Sequence, residues 1–234
     1  MFQVLGHRVY RHLFMAQVIA LIGTGLTTVA LALLAHELAA GQAGVVLGTA
    51  LAIKMVAYVI IAPLVGAYAA RLPRRALLIS LDLIRGTVVC ALPFVSRIEH
   101  IYLLIFLLNA CSAGFTPVFQ ATIPDILKKE ADYTQALSLS RLAYDLENLL
   151  SPVVAAALLT LLSFNVLFVL NALAFVGSAA LVASVALPAA CLKADAPTVW
   201  KRITYGLRVY LQTPRLRGLL ALSLAVSAAG AMQI

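Results

Sequence analysis

The chain has 234 residues, 63% of them hydrophobic and only 11% charged, and its mean hydropathy is +1.03. A soluble domain is about half apolar and about a quarter charged, so this composition excludes a water-soluble globule and, equally, a disordered chain. A net charge of +8 suits either a nucleic-acid binder or a membrane protein with basic cytoplasmic loops, and the placement of the charges decides between them.

Residues 1–12 carry His7, Arg8, Arg11 and His12. An apolar run follows from Leu13 to Ala35. At about 1.5 Å per residue it crosses a hydrocarbon core of about 30 Å. It is too long for a signal-peptide core and predicts an uncleaved first helix. Further runs extend over Gly44–Ala70, Ala76–Val95, Ile101–Ile123, Gln135–Leu162 and Val166–Leu187. A seventh begins at Gly218 and reaches Ile234, about 25 Å of helix, which is short of a span. The expectation is an all-α membrane protein. Residues 1–187 form a six-helix N-terminal bundle, 188–217 a cytoplasmic linker, and 218–234 the start of a truncated seventh helix. Within the linker, Trp200, Ile203, Leu207 and Tyr210 share one helical face and Lys201, Arg202 and Arg208 lie elsewhere, the pattern of an interfacial amphipathic helix.

With the N-terminus in the cytoplasm, the inner segments hold Arg8, Arg11, Arg71, Arg74, Arg75, Lys128, Lys129, Lys193, Lys201, Arg202, Arg208, Arg215 and Arg217, whereas the outer loops hold Arg97 alone. This asymmetry sets the orientation. It also accounts for the basic pI without nucleic acid.

Six ionisable residues fall inside the runs: Lys54, Asp82, Arg85, Arg141, Asp145 and Glu147. At about 3 kcal/mol each near a helix centre, they must pair, snorkel or line water. Asp82 and Arg85 are three apart, Arg141 and Asp145 four apart, so each pair can meet on one helix face. Two readings stand: a neutral network that locks the helices, or a set in which one acid titrates during transport. Asp145, near mid-membrane beside Arg141, ranks first as the responsive acid and Glu147 second. Lys54 has no local acid, which leaves pairing across helices or contact with a substrate.

Polar residues also recur at helical spacing on otherwise apolar runs: Gln17, Thr24, Thr27 and Thr28 on the first, Asn109, Ser112, Thr116 and Gln120 on the fourth, Ser140, Tyr144, Glu147 and Ser151 on the fifth. Such stripes bond between helices or line a cavity. Their presence on the first and fourth runs together favours a shared cavity, as in an inverted repeat of three helices plus three. Cys90, Cys111 and Cys191 form no CxxC pair, and the two in apolar runs read as small buried side chains. No nucleophile elbow, zinc-protease motif or nucleotide-binding loop occurs in the sequence. No enzymatic activity, cofactor or resident metal is expected, and any transport is driven by a gradient.

The end of the second run, Gly66-Ala67-Tyr68-Ala69-Ala70-Arg71-Leu72-Pro73-Arg74-Arg75, resembles the loop motif G-x-x-x-D-R-x-x-R-R/K of the major facilitator superfamily. Gly66, Arg71, Arg74 and Arg75 match, and Ala70 stands where the motif has aspartate. The resemblance implies that the glycine permits close helix approach and that the arginines staple the cytoplasmic ends of the bundles. It continues through Thr122-Ile123-Pro124-Asp125-Ile126-Leu127, Ala136-Leu137-Ser138-Leu139-Ser140 and Thr213-Pro214-Arg215-Leu216-Arg217. These segments are similar to the exporter branch that includes the enterobactin exporter and the nickel-resistance permeases. Ser151-Pro152 stands where the antiporter motif has Gly-Pro. The resemblance implies the first half of a twelve-helix secondary transporter in a bacterial inner membrane. Its partners would be the bilayer, a small-molecule or ion substrate such as a metal ion, siderophore-like compound or drug, a coupling proton, and the second half of the same transporter. The alternative from another class is a non-transporting membrane scaffold that packs with a partner.

Overall fold

The computed structural model describes residues 2–38, 43–68, 73–95, 97–187, 212–213 and 217–218. The chain divides into two units, Met1–Cys191 and Leu192–Ile234. The described helical bundle lies in the first. The linker helix and nearly all of the seventh run fall outside the described residues, as does Arg71.

Six helices are long and apolar enough to cross a membrane: α1 (Arg8–Leu38), α2 (Ala43–Tyr68), α3 (Arg74–Ala91, extended by a 3₁₀ turn at Leu92–Phe94), α4 (Ile98–Ile126), α5 (Glu130–Leu159) and α6 (Phe164–Ala183). Among the described residues there is no strand. Several helices begin before the apolar runs do. α1 starts at Arg8 rather than Leu13, and α5 at Glu130 rather than Gln135. Hydropathy marks the edge of the hydrocarbon layer, whereas the backbone stays helical into the polar zone. At α5, Glu130 and Asp132 in the first turn also complement the positive end of the helix dipole. Pro63, Pro117 and Pro152 lie within helices, which membrane helices tolerate when neighbours satisfy the freed carbonyls.

The main neighbours are α1 with α6 and α5, α4 with α3 and α2, and α3 with α6. Exchanging α1, α2, α3 for α4, α5, α6 converts this set into itself. Three crossings per repeat make the second triplet enter from the opposite side, which is the inverted repeat expected from the paired stripes.

Small residues set the closest approaches. A Cβ on Gly23 of α1 would fall 2.1 Å from Asn171 Oδ1 of α6, and one on Gly25 would fall 1.9 Å from Ser151 Oγ of α5. In lipid, packing of this kind supplies much of the attraction between helices. Gly66 differs: its Cβ would lie 3.5 Å from Pro117 Cβ, an ordinary contact. Close approach of α2 and α4 within this bundle therefore does not require the glycine.

Polar groups tie one end of the bundle together. Arg74 donates to Ala121 O (2.9 Å) and forms an ion pair with Asp125, while Arg75 donates to Ala183 O. The first two residues of α3 thus hold the last turns of α4 and α6, where carbonyls lack helical partners. At the same end, Tyr10 Oη donates to Ala136 O (3.1 Å) across α1 and α5. Two large apolar clusters fill the bundle, one around Leu26, Leu92, Ile105 and Phe168, the other around Leu13, Leu78, Phe119 and Val182, and a small third joins Ala35 to Val46. Cys111 is buried as expected, but Cys90 is exposed.

Candidate functional site

Between the two large apolar clusters lies a polar layer, and it opens into a cavity of about 520 Å³ walled by α1, α2, α3, α4 and α5. The lining positions lie near the middle of each helix, so the cavity sits at mid-membrane.

α1 contributes Gln17, Thr24 and Thr28 to the wall, with Gly25 between them. Thr27 points elsewhere: it is 3% exposed and accepts a hydrogen bond from Asn171 of α6. α4 contributes Asn109, Ser112 and Thr116. The expectation for Gln120 is corrected, because it is exposed and outside the lining. Eleven residues beyond Asn109, it lies beyond the cavity, level with the closing cluster at Phe119 and Ile123. Stripe continuity along a helix therefore outlasts the cavity that it lines.

α5 shows which of its two polar lines faces inward. Ser140 donates to Gln17 Oε1 (3.1 Å), Tyr144 shares a hydrogen bond with Thr116 (3.2 Å), Glu147 lines the cavity, and Ser151 meets Gly25. The other line carries Arg141 and Asp145, which pair with each other at 3.2 Å while their side chains stay 79% and 55% exposed. Neither lines the cavity. The order of preference between Asp145 and Glu147 is thus reversed in position: Asp145 faces away from the other helices and Glu147 faces in. Asn148 and Pro152, which continue the Arg141–Asp145 line, do line the cavity.

α3 contributes Arg85. Arg85 is 4% exposed and Asp82 0%, and the two pair within the bundle core. Asp82 also accepts from Ser178 Oγ of α6 (2.7 Å). The guanidinium lies over the rings of Phe115 and Phe175, 4.6 and 4.5 Å from their centroids, a cation–π clamp. This group joins α3, α4 and α6.

From α2 come Lys54 and Tyr58, one turn apart. Lys54 lies within electrostatic range of Glu147, and Tyr58 within range of Arg85, Tyr144 and Glu147. Lys54 forms no ion pair among the described residues. Tyr58 was not singled out from sequence, although its i, i+4 spacing from Lys54 placed it on the same face. Phe115, Phe175, Ser178 and Gly25 carried no such signal, because each matters through a residue on another helix. Among the described residues no three His, Cys, Asp or Glu side chains converge on a common point.

Glu147 is the one acid among the described lining residues, facing Lys54 and Arg85. A mid-membrane cavity with both signs of charge, reached from inverted halves of three helices, is built to hold a solute inside a bilayer rather than to pack one helix on another. No curated protein matches the chain. The family model of the Major Facilitator Superfamily matches residues 13–234, which takes in α2 to α6 and all of α1 but its first five residues. On that match and this architecture, the chain belongs to the major facilitator superfamily, a family of multi-pass membrane transporters.

Proposed function

We propose that the protein is a proton-coupled exporter of a small solute, working by alternating access in a bacterial inner membrane with its N-terminus in the cytoplasm. The observation that carries this reading is Glu147, the single acid on the described wall of the mid-membrane cavity, opposite Lys54. A carboxylate there can hold either a proton or a donor group of the solute. Competition between the two is the minimum requirement for exchange. Lys54 and Tyr58 of α2, Arg85 of α3 and Tyr144 of α5 are the titratable or charged groups around it. The similarity of the loop motifs to the exporter branch supports the outward direction.

α2 and α5 are the least enclosed helices, with 17% and 11% of their most apolar windows buried against 39–44% for the others. We assign their open faces to contact with a second bundle of the same transporter, which completes the cavity. In this reading residues 188–217 are the cytoplasmic linker and 218–234 the start of the seventh helix.

The test follows proton movement in everted vesicles when a solute identified by growth-inhibition screening is added. Glu147→Gln is expected to lose about 90% or more of solute-dependent proton flux, and the solute binding that remains should lose its pH dependence, the behaviour of a coupling group. Asp145→Asn is expected to keep more than about half, because Asp145 does not line the cavity. The opposite ranking would return the coupling role to Asp145. For topology, an impermeant thiol reagent should reach Cys191 only after the inner face is opened. Labelling of Cys191 in intact cells overturns the orientation.

A further inference from the structure

The cavity wall is divided by chemistry. On one side stands Arg85, 4% exposed and held in plane between Phe115 and Phe175. Its Nη2 donates to Asp82, and its buried Nε has no partner among the described residues. The cavity meets Arg85 but not Asp82, so a solute faces the guanidinium rather than its counter-ion. A planar fork with unused donors, fixed before binding, suits a carboxylate.

The stripes on α1 and α4 offer the opposite. Thr24 donates to Ala20 O (2.8 Å), Thr28 to Thr24 O (3.1 Å), Asn109 Nδ2 to Ile105 O (2.8 Å) and Ser112 to Leu108 O (2.9 Å). Each spends a donor on its own helix and keeps an oxygen free to accept. With Glu147 they form a wall that wants donors. Arg85 and Glu147 both line the same cavity, which places the two poles around one space.

We infer that the cavity selects an amphoteric organic solute, with its carboxylate on Arg85 and its ammonium group on Glu147 and the α1–α4 oxygens. A bare divalent cation fits poorly, since Glu147 is its lone anionic ligand on the described wall and it brings no carboxylate for Arg85. The inference rests on the transport reading and deepens it. Exchange at Glu147 is competition between a proton and the ammonium group, while Arg85 holds the carboxylate throughout.

The test uses the full-length chain in detergent and triplets of probes: amino acids of several side-chain sizes, their methyl esters, which are cations, and their N-acetyl derivatives, which are anions. Thermal unfolding and direct binding are read for each. Parent amino acids are expected to bind at least about tenfold more tightly than either derivative, the worth of one good charge-assisted contact. Arg85→Lys keeps the positive charge beside Asp82 but loses the fork. It should weaken the parents about tenfold and leave the esters within about twofold, which a merely structural role for Arg85 would not produce. Esters that bind as tightly as parents, an equal loss for both in Arg85→Lys, or no binding of any parent overturns the inference. If a pH gradient drives efflux of the esters alone, the inference fails and the transport reading stands. If it drives efflux of none of the three classes, the inference fails, and the transport reading fails with it only if the solute found by growth-inhibition screening also moves no protons.

Discussion

Asp82→Ala is expected to destabilise the bundle by about 3–5 kcal/mol, the usual cost of leaving one member of a buried ion pair without its partner. Arg85 has nowhere to take its charge. It is clamped between two rings in a side-chain environment that is 5% exposed, and Asp82 is its sole ion-pair partner among the described residues. Ser178 loses its acceptor as well. Loss of monodisperse protein on heating in detergent measures the effect. The double variant Asp82→Asn with Arg85→Gln removes both charges and should recover most of the stability. It should not recover transport, because Arg85 lines the cavity. A double variant as unstable as Asp82→Ala would show that the pair matters through shape rather than charge. Arg141→Gln with Asp145→Asn provides the contrast. That pair lies on the open face of α5 and touches no other helix of this bundle through an ion pair, so removing both charges should leave the stability of the six-helix bundle nearly unchanged.

Gly25→Ala should produce the second large effect, through packing. The added Cβ would stand 1.9 Å from Ser151 Oγ, 2.2 Å from Ser151 Cβ and 2.9 Å from Glu147 Oε1. Ser151 is short and attached directly to the α5 backbone, so α1 and α5 must separate rather than a side chain swing aside. Overpacking of this kind costs about 1–3 kcal/mol. It also moves the Glu147 carboxylate, so transport should fall further than stability. Removing the obstacle in Gly25→Ala with Ser151→Gly should restore folding, the non-additivity expected of residues in contact. Gly48→Ala on α2 is the control, as its Cβ meets nothing within 4 Å. Gly23→Ala strikes Asn171 and Ala174 of α6, on the side of α1 away from the cavity. It should therefore cost stability and spare Glu147. Equal transport loss in Gly23→Ala and Gly25→Ala would contradict a specific role for the α1–α5 contact in placing Glu147.

The motif arginines show how local sequence and tertiary placement divide the work. Arg74 and Arg75 read from sequence as positive-inside residues that staple helix ends. In the structure they bind the ends of α4 and α6 within one bundle, with Asp125 as Arg74's partner. A loop motif can report that arginines sit at a helix N-terminus. It cannot report which C-termini arrive beside them, because that depends on helix neighbours more than forty residues away in sequence.

Hydrophobicity alone determined the membrane class and the six spans, because a bilayer forces every apolar run of sufficient length into a helix with its backbone satisfied internally. Helical spacing alone determined that Asp82 meets Arg85 and Arg141 meets Asp145, since residues three or four apart share a face whatever surrounds them. Tertiary structure decided everything that depends on where a helix face points. The two polar lines of α5 are equally periodic, and only the packing of α5 against α1 turned Ser140, Tyr144, Glu147 and Ser151 inward and left Arg141 and Asp145 outside. The same packing separated Thr24 and Thr28 from Thr27, and ended the cavity before Gln120. Lipid and protein interior are both apolar, so hydrophobic periodicity cannot mark the buried side of a membrane helix. That side is chosen by small residues such as Gly23 and Gly25, whose effect exists only once Asn171 and Ser151 are opposite them.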